Sequence, residues 1–236
     1  MSKGKLYLIP SPLGGEHDLE PIPAAVLQKA VSLRRFVVEE ERSARRYLSA
    51  AGLKGHMDEV ELHVLNEHSR AADAEELLKL FDDGSDVGCI SEAGLPAVAD
   101  PGAALVALCH LHGIEVVPLC GPSSLMLALM ASGLNGQSFA FNGYLPAKTD
   151  ERRTAIASFE KHSARTHQTQ IFIETPYRND SLFQDLLRQL SPTTRLCIAA
   201  DLTLPTQTVR CTSVASWRKE NFSIGKRPCV FLFLAK

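Results

Sequence analysis

Four short loops rich in Gly, Pro and Ser each follow directly on an apolar run, and their residue types suit ligand binding. They span residues 10–15, 91–96, 120–124 and 174–176. Glycine lets backbone N–H groups approach a ligand closely, and proline stiffens the loop around it. Ligands of open α/β sheets bind beyond the carboxyl ends of strands, so a site is expected at these loops. Taken alone, each loop is most simply a turn.

Two common nucleotide-binding motifs and a metal site are not indicated. The chain has neither G-x-G-x-x-G nor G-K-[ST], which disfavours a Rossmann dinucleotide site and a P-loop. His110 and His112 have no third ligand evident, so we expect them at the surface rather than on a metal. The six cysteines form no C-x-x-C pair, and several lie in apolar segments. We expect them to be small buried hydrophobes in a reducing compartment.

Strand-like apolar runs alternate with helix-like stretches, which predicts an α/β fold with mainly parallel or mixed sheets. Asp73 is predicted to cap the helix that carries Leu77, Leu78 and Phe81, and Pro101 to stand early in a helix over 103–112. The strand-like runs, rich in Val, Ile, Leu and Phe, are 5–9, 35–38, 60–65, 87–91, 115–119, 170–174, 196–200 and 229–235.

The alternation changes around residues 121–143, which indicates a domain boundary. A loop at 121–124 opens an apolar helix over 125–132, and Asn135-Gly136 is a strong turn signal. A polar, charged stretch follows from 148 to 168. We therefore predict two α/β domains, 1–118 and 119–236.

The composition is that of an ordinary globular protein. Of 236 residues, 45% are hydrophobic and 22% charged, which excludes wholesale disorder. The 25 basic and 27 acidic residues nearly balance, so any nucleic acid would have to bind through a local basic patch. The first residues carry too short an apolar stretch for a signal peptide, and no run is long enough to span a bilayer. The expected location is cytoplasmic, without membrane association.

Taken together and in order, these segments resemble the tetrapyrrole methylase superfamily, the class III S-adenosylmethionine-dependent methyltransferases. Within it, the chain is most similar to the ribosomal RNA small subunit methyltransferase I family, and the resemblance covers most of its length. The segments that carry it are Leu6-Tyr7-Leu8-Ile9-Pro10-Ser11-Pro12, Glu39-Glu40-Glu41-Arg42 with Arg45, His63 with Asn66-Glu67, Ser91-Glu92-Ala93-Gly94-Leu95-Pro96, Asp100-Pro101-Gly102, Gly121-Pro122-Ser123, Leu134, Phe139, Gly143-Tyr144-Leu145-Pro146, Lys148 with Glu151-Arg152-Arg153, and Glu174-Thr175-Pro176-Tyr177-Arg178.

The resemblance implies a fold of two α/β domains with S-adenosylmethionine in the cleft between them, in a homodimer. It also implies RNA, ribosomal in particular, as the partner that accepts the methyl group, with a ribose 2′-oxygen as the acceptor atom. The positions that carry over as donor-binding residues are Pro10, Ser91, Glu92, Gly94, Val98, Ala99, Ser123 and Ala200.

If the acceptor is a ribose hydroxyl, its proton must leave before the oxygen attacks. A carboxylate such as Glu39 or Glu67 could accept that proton, and Arg42 could hold a phosphate or stabilise a developing alkoxide. The same charged run also fits a solvated helix face with i,i+4 ion pairs. The catalytic residues that we predict are Glu39, Arg42, Asn66 and Glu67, and Arg45 and Arg178 are further candidates near the acceptor.

Several positions depart from the family pattern. They are Glu92 for Asp and Leu95 for Thr in the donor signature, Glu40-Glu41 for Asp-Thr, Leu65 for a His, Ala200 and Leu204 for two basic residues, and Ala147 for an Arg. These departures leave two alternatives open. The chain could methylate a tetrapyrrole or another small acceptor, or it could bind the donor without catalysis.

Overall fold

The computed structural model describes residues 3–14 and 18–236. Within them the chain forms two compact units, Met1–Ser123 and Ser124–Lys236. The boundary predicted after residue 118 falls inside unit 1, near its end. Each unit holds one five-stranded sheet.

The sheet of unit 1 is entirely parallel. Its strands are β1 (Leu6–Ile9), β2 (Arg35–Val38), β3 (Glu61–Val64), β4 (Val87–Ile90) and β5 (Val116–Pro118), in the order β3-β2-β4-β1-β5. These strands match five of the predicted runs, four of them with shorter ends. Because all five strands run the same way, the loops that follow them leave from one edge of the sheet, here called the carboxyl edge.

Four α-helices and three short helical turns of other types connect these strands. The α-helices are α1 (Ala24–Ser32), α2 (Glu41–Leu48), α3 (Ala71–Glu76) and α4 (Gly102–Leu111). A π-helical turn, Ser49–Leu53, continues α2, and 3₁₀ turns span Met57–Glu59 and Leu77–Phe81.

The prediction that Asp73 is an N-cap is wrong by three positions. Arg70 is the N-cap of α3, and the Asp73 carboxylate reaches back to accept a hydrogen bond from the Arg70 N–H at 2.7 Å. An acidic residue in the third helical position satisfies an orphan N–H just as an N-cap does, from inside the helix.

Apolar side chains cover both faces of the unit 1 sheet. One cluster contains Ile9, Phe36 and Ile90, and the other contains Leu6, Val87 and Leu105. Gly88 lies in close contact with the first cluster, because a Cβ there would approach the Phe36 side chain to 2.6 Å.

The sheet of unit 2 is mixed. Its strands are β6 (Phe139–Tyr144), β7 (Thr169–Ile173), β8 (Arg195–Ala200), β9 (Thr208–Ser213) and β10 (Cys229–Leu234), in the order β6-β7-β10-β8-β9. Only β6 and β7 pair in parallel. The helices are α5 (Ser124–Ser132), α6 (Thr149–Thr166), α7 (Asn179–Gln189) and α8 (Val214–Trp217), with a 3₁₀ turn over Pro176–Arg178.

The strands β6 and β9 had no counterpart among the predicted runs. Both lie at edges of the sheet, and both carry a polar residue: Asn142 in β6 and Arg210 in β9. An edge strand is only half covered, so its sequence lacks the continuous apolar run of a buried strand.

Unit 2 buries packed aromatic rings and also an ion pair. Phe183 and Trp217 meet edge to face with ring centroids 5.3 Å apart. The Arg152 guanidinium donates to Asp185 Oδ2 from Nε at 2.8 Å, and both side chains are almost fully buried. No helix in the described part of the chain is both long and apolar enough to cross a membrane.

Candidate functional site

Ten of the twelve predicted site residues lie in loops of unit 1 that leave its carboxyl edge or in the first turn of the helix that follows. Pro10 follows β1, Glu39 follows β2, and Ser91 follows β4. Asn66 and Glu67 come shortly after β3, and the remaining ones are Arg42, Glu92, Gly94, Val98 and Ala99. Ser123 ends unit 1, and Ala200 lies in unit 2.

Backbone hydrogen bonds join the loop after β1 to the loop after β4. Ser11 N–H donates to the Gly94 carbonyl at 2.9 Å, and Gly94 N–H donates to the Ser11 carbonyl at 3.1 Å. The Ser11 hydroxyl also donates to the Ser91 carbonyl at 2.8 Å. Gly94 has φ +78°, a left-handed conformation that other residues adopt only with strain. The predicted donor-binding loops after these two strands therefore form one fixed unit.

Pro10 is held from two sides. The buried Tyr47 hydroxyl donates to the Pro10 carbonyl at 3.0 Å. Gly121, in the loop after β5, approaches so closely that a Cβ there would lie 2.2 Å from the Pro10 Cβ. A glycine is therefore required for the loops after β1 and β5 to meet.

Glu39 is the most strongly perturbed carboxyl group in this region. Its Oε1 accepts a hydrogen bond from the Glu92 N–H at 2.9 Å, and its carboxyl hydrogen-bonds to Asp100. Burial, reinforced by the shared proton and negative charge of Asp100, raises the pKa of Glu39 from 4.5 to about 7. A carboxyl group with a pKa near neutrality can take up and release a proton under physiological conditions.

Backbone hydrogen bonds hold the Asp100 side chain in place beside Glu39. Its Oδ1 accepts from the Gly102 N–H at 2.6 Å and the Ala97 N–H at 3.1 Å. Its Oδ2 is buried, and no donor in the described residues reaches it. The hydrogen bond between the carboxyl groups of Glu39 and Asp100 requires that one of them carry a proton. This explains why the two carboxyl groups can lie together.

The neighbouring glutamates have structural roles. Glu40 caps α2, with its carboxylate accepting from the Arg42 N–H at 2.9 Å and the Ser43 N–H at 2.6 Å, and these bonds lower its pKa. Glu41 lies 3.8 Å from Arg45 in an i,i+4 ion pair. The i,i+4 ion pair of the helix-face alternative is therefore present at Glu41, whereas Glu40 caps the helix and Glu39 precedes it.

A hollow opens among the loops after β1, β2 and β4. Ser91 lies at its base, and its buried hydroxyl has no hydrogen-bond partner in the described residues. Glu92 is exposed at the rim, where its Oε1 accepts from the Ser43 hydroxyl. The lining residues are Ser11, Pro12, Leu13, Val38, Glu40, Ser43, Ala44, Tyr47, Ile90, Ser91, Glu92 and Ala93.

The segment between Gly94 and α4 is bent by unusual backbone angles. Ala97 and Ala99 have φ +65° and +57°, and Val98 between them is exposed. Left-handed alanines cost energy and persist only where the surroundings enforce them, commonly in functional loops.

Asn66 and Glu67 make their polar contacts within their own turn. The Asn66 side chain accepts from the His68 N–H at 3.0 Å, and its own N–H donates to the Ser69 hydroxyl. Glu67 is 84% exposed in its side chain and lies 3.6 Å from His68. The structure thus places both residues in a self-contained turn at the same edge of the sheet.

In unit 2, Ala200 is buried at the end of β8, and Arg178 follows β7. The Arg178 guanidinium donates twice to Glu174 Oε1, at 2.9 and 2.6 Å. Tyr177 beside it is 80% exposed, with the Lys226 ammonium 4.8 Å from its ring centroid.

Sequence reasoning missed the residues that position the others. Asp100, Ser43 and Tyr47 were not among the predicted site residues, although each contacts one of them. Only Asp100 carried a signal, because it opens the Asp-Pro-Gly segment.

Comparison with known proteins settles the family. A family model described as Tetrapyrrole (Corrin/Porphyrin) Methylases matches residues 5–216. The chain belongs to the tetrapyrrole methylase family. As expected for a tetrapyrrole methylase, it resembles proteins named as methyltransferases, which confirms the predicted enzyme class.

Relatives named Ribosomal RNA small subunit methyltransferase I are similar over most of this tetrapyrrole methylase. The protein from Escherichia coli O157:H7 is 33% identical over 98% of this chain and 78% of its own length. The Vibrio cholerae protein is 31% identical over 96% of this chain and 76% of its own. The Neisseria meningitidis serogroup B protein is 35% identical over 85% of this chain and 64% of its own.

Solved structures confirm the fold. A conserved hypothetical protein from Aeropyrum pernix K1 matches 99% of this chain and 85% of its own with a TM-score of 0.70 at 13% identity. Uroporphyrin-III-C-methyltransferase from Thermus thermophilus matches 98% of this chain and 91% of its own with a TM-score of 0.57 at 21% identity.

Proposed function

We propose that this tetrapyrrole methylase transfers a methyl group from S-adenosylmethionine to small-subunit ribosomal RNA, at a ribose 2′-oxygen. The observation that carries the proposal is the 33% identity to the E. coli ribosomal RNA methyltransferase along almost the whole chain. The predicted site residues, including Pro10, Glu39, Ser91 and Gly94, fall within that match.

The unit 1 loops fit such a donor. S-adenosylmethionine combines a sulfonium cation with polar amino-acid and nucleoside groups. Ser91 offers a buried hydroxyl with no partner in the described residues, and the rim of the hollow carries the carboxylates of Glu40 and Glu92. We propose that Pro10, Gly94, Val98, Ala99, Ser123 and Ala200 contribute further contacts to it.

When bound, the donor supplies a methyl group on a positively charged sulfur. Glu39 accepts the proton of the attacking hydroxyl, because its pKa near 7 leaves it partly ionised at neutral pH yet basic enough to hold the proton. Asp100 positions Glu39, and its negative charge keeps the Glu39 pKa high. Glu67 is solvated and lacks such a partner, so we assign the role of base to Glu39.

Basic and aromatic side chains are proposed to hold the RNA. Arg42 is exposed at the start of α2, close in sequence to the Glu39 loop, and can meet a phosphate. Asn66 presents an amide at the same edge of the sheet. Tyr177 and Lys226 in unit 2 offer a ring for base stacking beside a cation. A small number of RNA-binding residues is consistent with a chain whose net charge is close to zero.

We further propose that the protein acts as a cytoplasmic homodimer. The support for the dimer is the resemblance to the tetrapyrrole methylase family, which implies a homodimer. Multi-angle light scattering on the purified chain is expected to give twice the mass of 25.8 kDa. A monomer mass at every concentration would contradict the dimer and leave the activity proposal untouched.

The activity is tested by transfer of tritium-labelled methyl groups to ribosomal subunits from a strain lacking its ribosomal RNA small subunit methyltransferase I. Label is expected in the RNA of small subunits and not of large ones. Glu39→Gln is expected to abolish transfer while calorimetry shows unchanged donor affinity, and Glu67→Gln, the matched control, to retain it. Label only in a small molecule would overturn the choice of substrate, and absence of donor binding would overturn the enzyme itself.

A further inference from the structure

Two cysteines face each other across the β8–β9 strand pair of unit 2. The register places Cys197 directly opposite Cys211. Residues that are opposite each other in an antiparallel pair have side chains on the same face of the sheet. Both thiols are free.

The hydrogen-bond pattern shows that this is a close pair. Val214 N–H donates to the Thr194 carbonyl at 2.9 Å. Thr194 and Val214, which lie opposite each other, are therefore a hydrogen-bonded pair. Such pairs alternate with non-hydrogen-bonded pairs, and Cys197 and Cys211 lie three steps further along, at a non-hydrogen-bonded position. Opposite Cα atoms there are about 4.5 Å apart, and a disulfide requires roughly 4.4–6.8 Å. The backbone is therefore placed for a disulfide without rearrangement.

The two thiols differ in reactivity. The Arg195 Nη2 atom lies 3.5 Å from the Cys211 sulfur. The Cys197 thiol also donates a hydrogen bond to the Cys211 sulfur. The bond from Cys197, with the help of Arg195, lowers the pKa of Cys211 from 9 to about 7 against the opposing effect of burial. Cys197 is fully buried and its pKa is raised, since its proton is the one donated. Cys211 is thus the attacking thiolate and Cys197 the resolving thiol.

Solvent access also favours Cys211 as the attacking thiolate and Cys197 as the resolving thiol. Cys211 is only partly buried and belongs to β9, an edge strand of the sheet. Cys197 lies on the next strand inward, β8, and is shielded from solvent.

We propose that Cys197 and Cys211 form a reversible, peroxide-sensitive dithiol site. The Cys211 thiolate attacks one oxygen of hydrogen peroxide, the O–O bond breaks, and hydroxide leaves, giving a sulfenic acid. The Cys197 thiol then attacks the Cys211 sulfur, the S–S bond forms, and water leaves with the thiol proton. In total two thiols lose two electrons and two protons, and the peroxide is reduced to two molecules of water. A low-molecular-weight dithiol reverses the reaction.

The disulfide would close the segment between the two strands. That segment contains the turn from Asp201 to Gln207, which follows Ala200 directly. Asp201 and Thr203 in it have φ +52° and +74°. Oxidation would therefore tie down a strained turn next to a residue that we assign to donor binding. The thiol chemistry itself does not depend on that assignment.

The test treats the purified chain with hydrogen peroxide, then blocks remaining thiols with an alkylating reagent and counts them after denaturation. The count is expected to fall by two, from six to four. Trypsin cleaves after Arg195, Arg210 and Arg218, so mass spectrometry should find peptides 196–210 and 211–218 joined with the loss of two hydrogens. The Cys120→Ser variant serves as the matched control and should form the same joined peptides, because Cys120 is an exposed thiol outside the pair.

Single variants separate the two roles. Cys197→Ser should stop at a Cys211 sulfenic acid that dimedone traps, and Cys211→Ser should leave Cys197 unmodified. In the untreated protein, Cys211 should be alkylated about tenfold or more faster than the buried Cys229. The proposal is overturned if all six thiols survive oxidation, if the joined peptides contain Cys120 instead, or if Cys211 reacts no faster than Cys229.

Discussion

Replacing Glu39 by Gln should make the protein more stable while removing its base. A glutamine reproduces the protonated form of Glu39, because its oxygen can accept from the Glu92 N–H and its amide nitrogen can donate to the Asp100 carboxylate. Both contacts of the native side chain survive, and the proton that Glu39 loses near pH 7 is replaced by a permanent N–H.

The direction of the pH dependence follows from the raised pKa. Below about pH 4.5 the carboxyl of Glu39 is protonated in the folded and unfolded chains alike. Between that pH and about 7, the unfolded chain loses the proton and the folded chain keeps it, so the native protein loses stability as the pH rises. Above pH 7 the loss is complete. The Glu39→Gln variant has no such loss, and its advantage should be absent at about pH 4 and full at about pH 8.

The size of the effect follows from the same pKa. A shift from 4.5 to about 7 corresponds to roughly 3 kcal/mol at full strength. Glu39 is only partly buried, and solvent screening reduces this to about 1–2 kcal/mol. For a chain of this size, the melting temperature at about pH 8 should rise by about 2–8 °C.

The assay is thermal unfolding followed by circular dichroism from about pH 4 to pH 8, with Glu40→Gln as the matched control. Glu40 is an exposed helix cap with a lowered pKa, so its neutralisation should destabilise the protein at the upper end of that range and have little effect at low pH. Equal melting temperatures of native protein and Glu39→Gln at the upper end, or a lower one for the variant, would refute the assignment of a shared proton to Glu39 and Asp100.

Four further outcomes are expected. The rate of methyl transfer should rise with pH through about 7 as Glu39 ionises, and a flat profile across this pH would argue against it as the base. Tyr47→Phe removes a buried hydrogen bond to Pro10 and should cost about 1–2 kcal/mol in urea unfolding. Asp185→Asn leaves the Arg152 charge buried without its counter-charge and should cost about 3–5 kcal/mol by the same measurement. Gly88→Ala forces a methyl group into the Phe36 and Ile9 side chains and should cost about 1–3 kcal/mol, again in urea unfolding.

Most of the fold could be predicted because its buried strands have apolar residues at almost every position. The four residues 35–38 are a strand in both the prediction and the structure. The edge strands β6 and β9 could not be found in this way, since one side of each is open and tolerates residues such as Asn142 and Arg210.

The site was predictable as a set of loops but not as a set of contacts. Loop composition pointed to Ser91 and Gly94, and the family resemblance pointed to Glu39. The pairing of Glu39 with Asp100 depends on how two loops that are distant in sequence fold onto one edge of a sheet. No local sequence pattern indicates that these two residues are in contact. The same reason hid the Cys197–Cys211 pair, which only the strand register reveals.

The most direct test of the account is the identity of the methylated nucleoside. Small ribosomal subunits that lack the modification are incubated with the purified chain and methyl-labelled S-adenosylmethionine, and their RNA is digested to nucleosides for mass spectrometry. The account predicts label on the ribose of a 2′-O-methylated nucleoside, and predicts none with Glu39→Gln. Label on a base, or an unlabelled RNA despite bound donor, would contradict it.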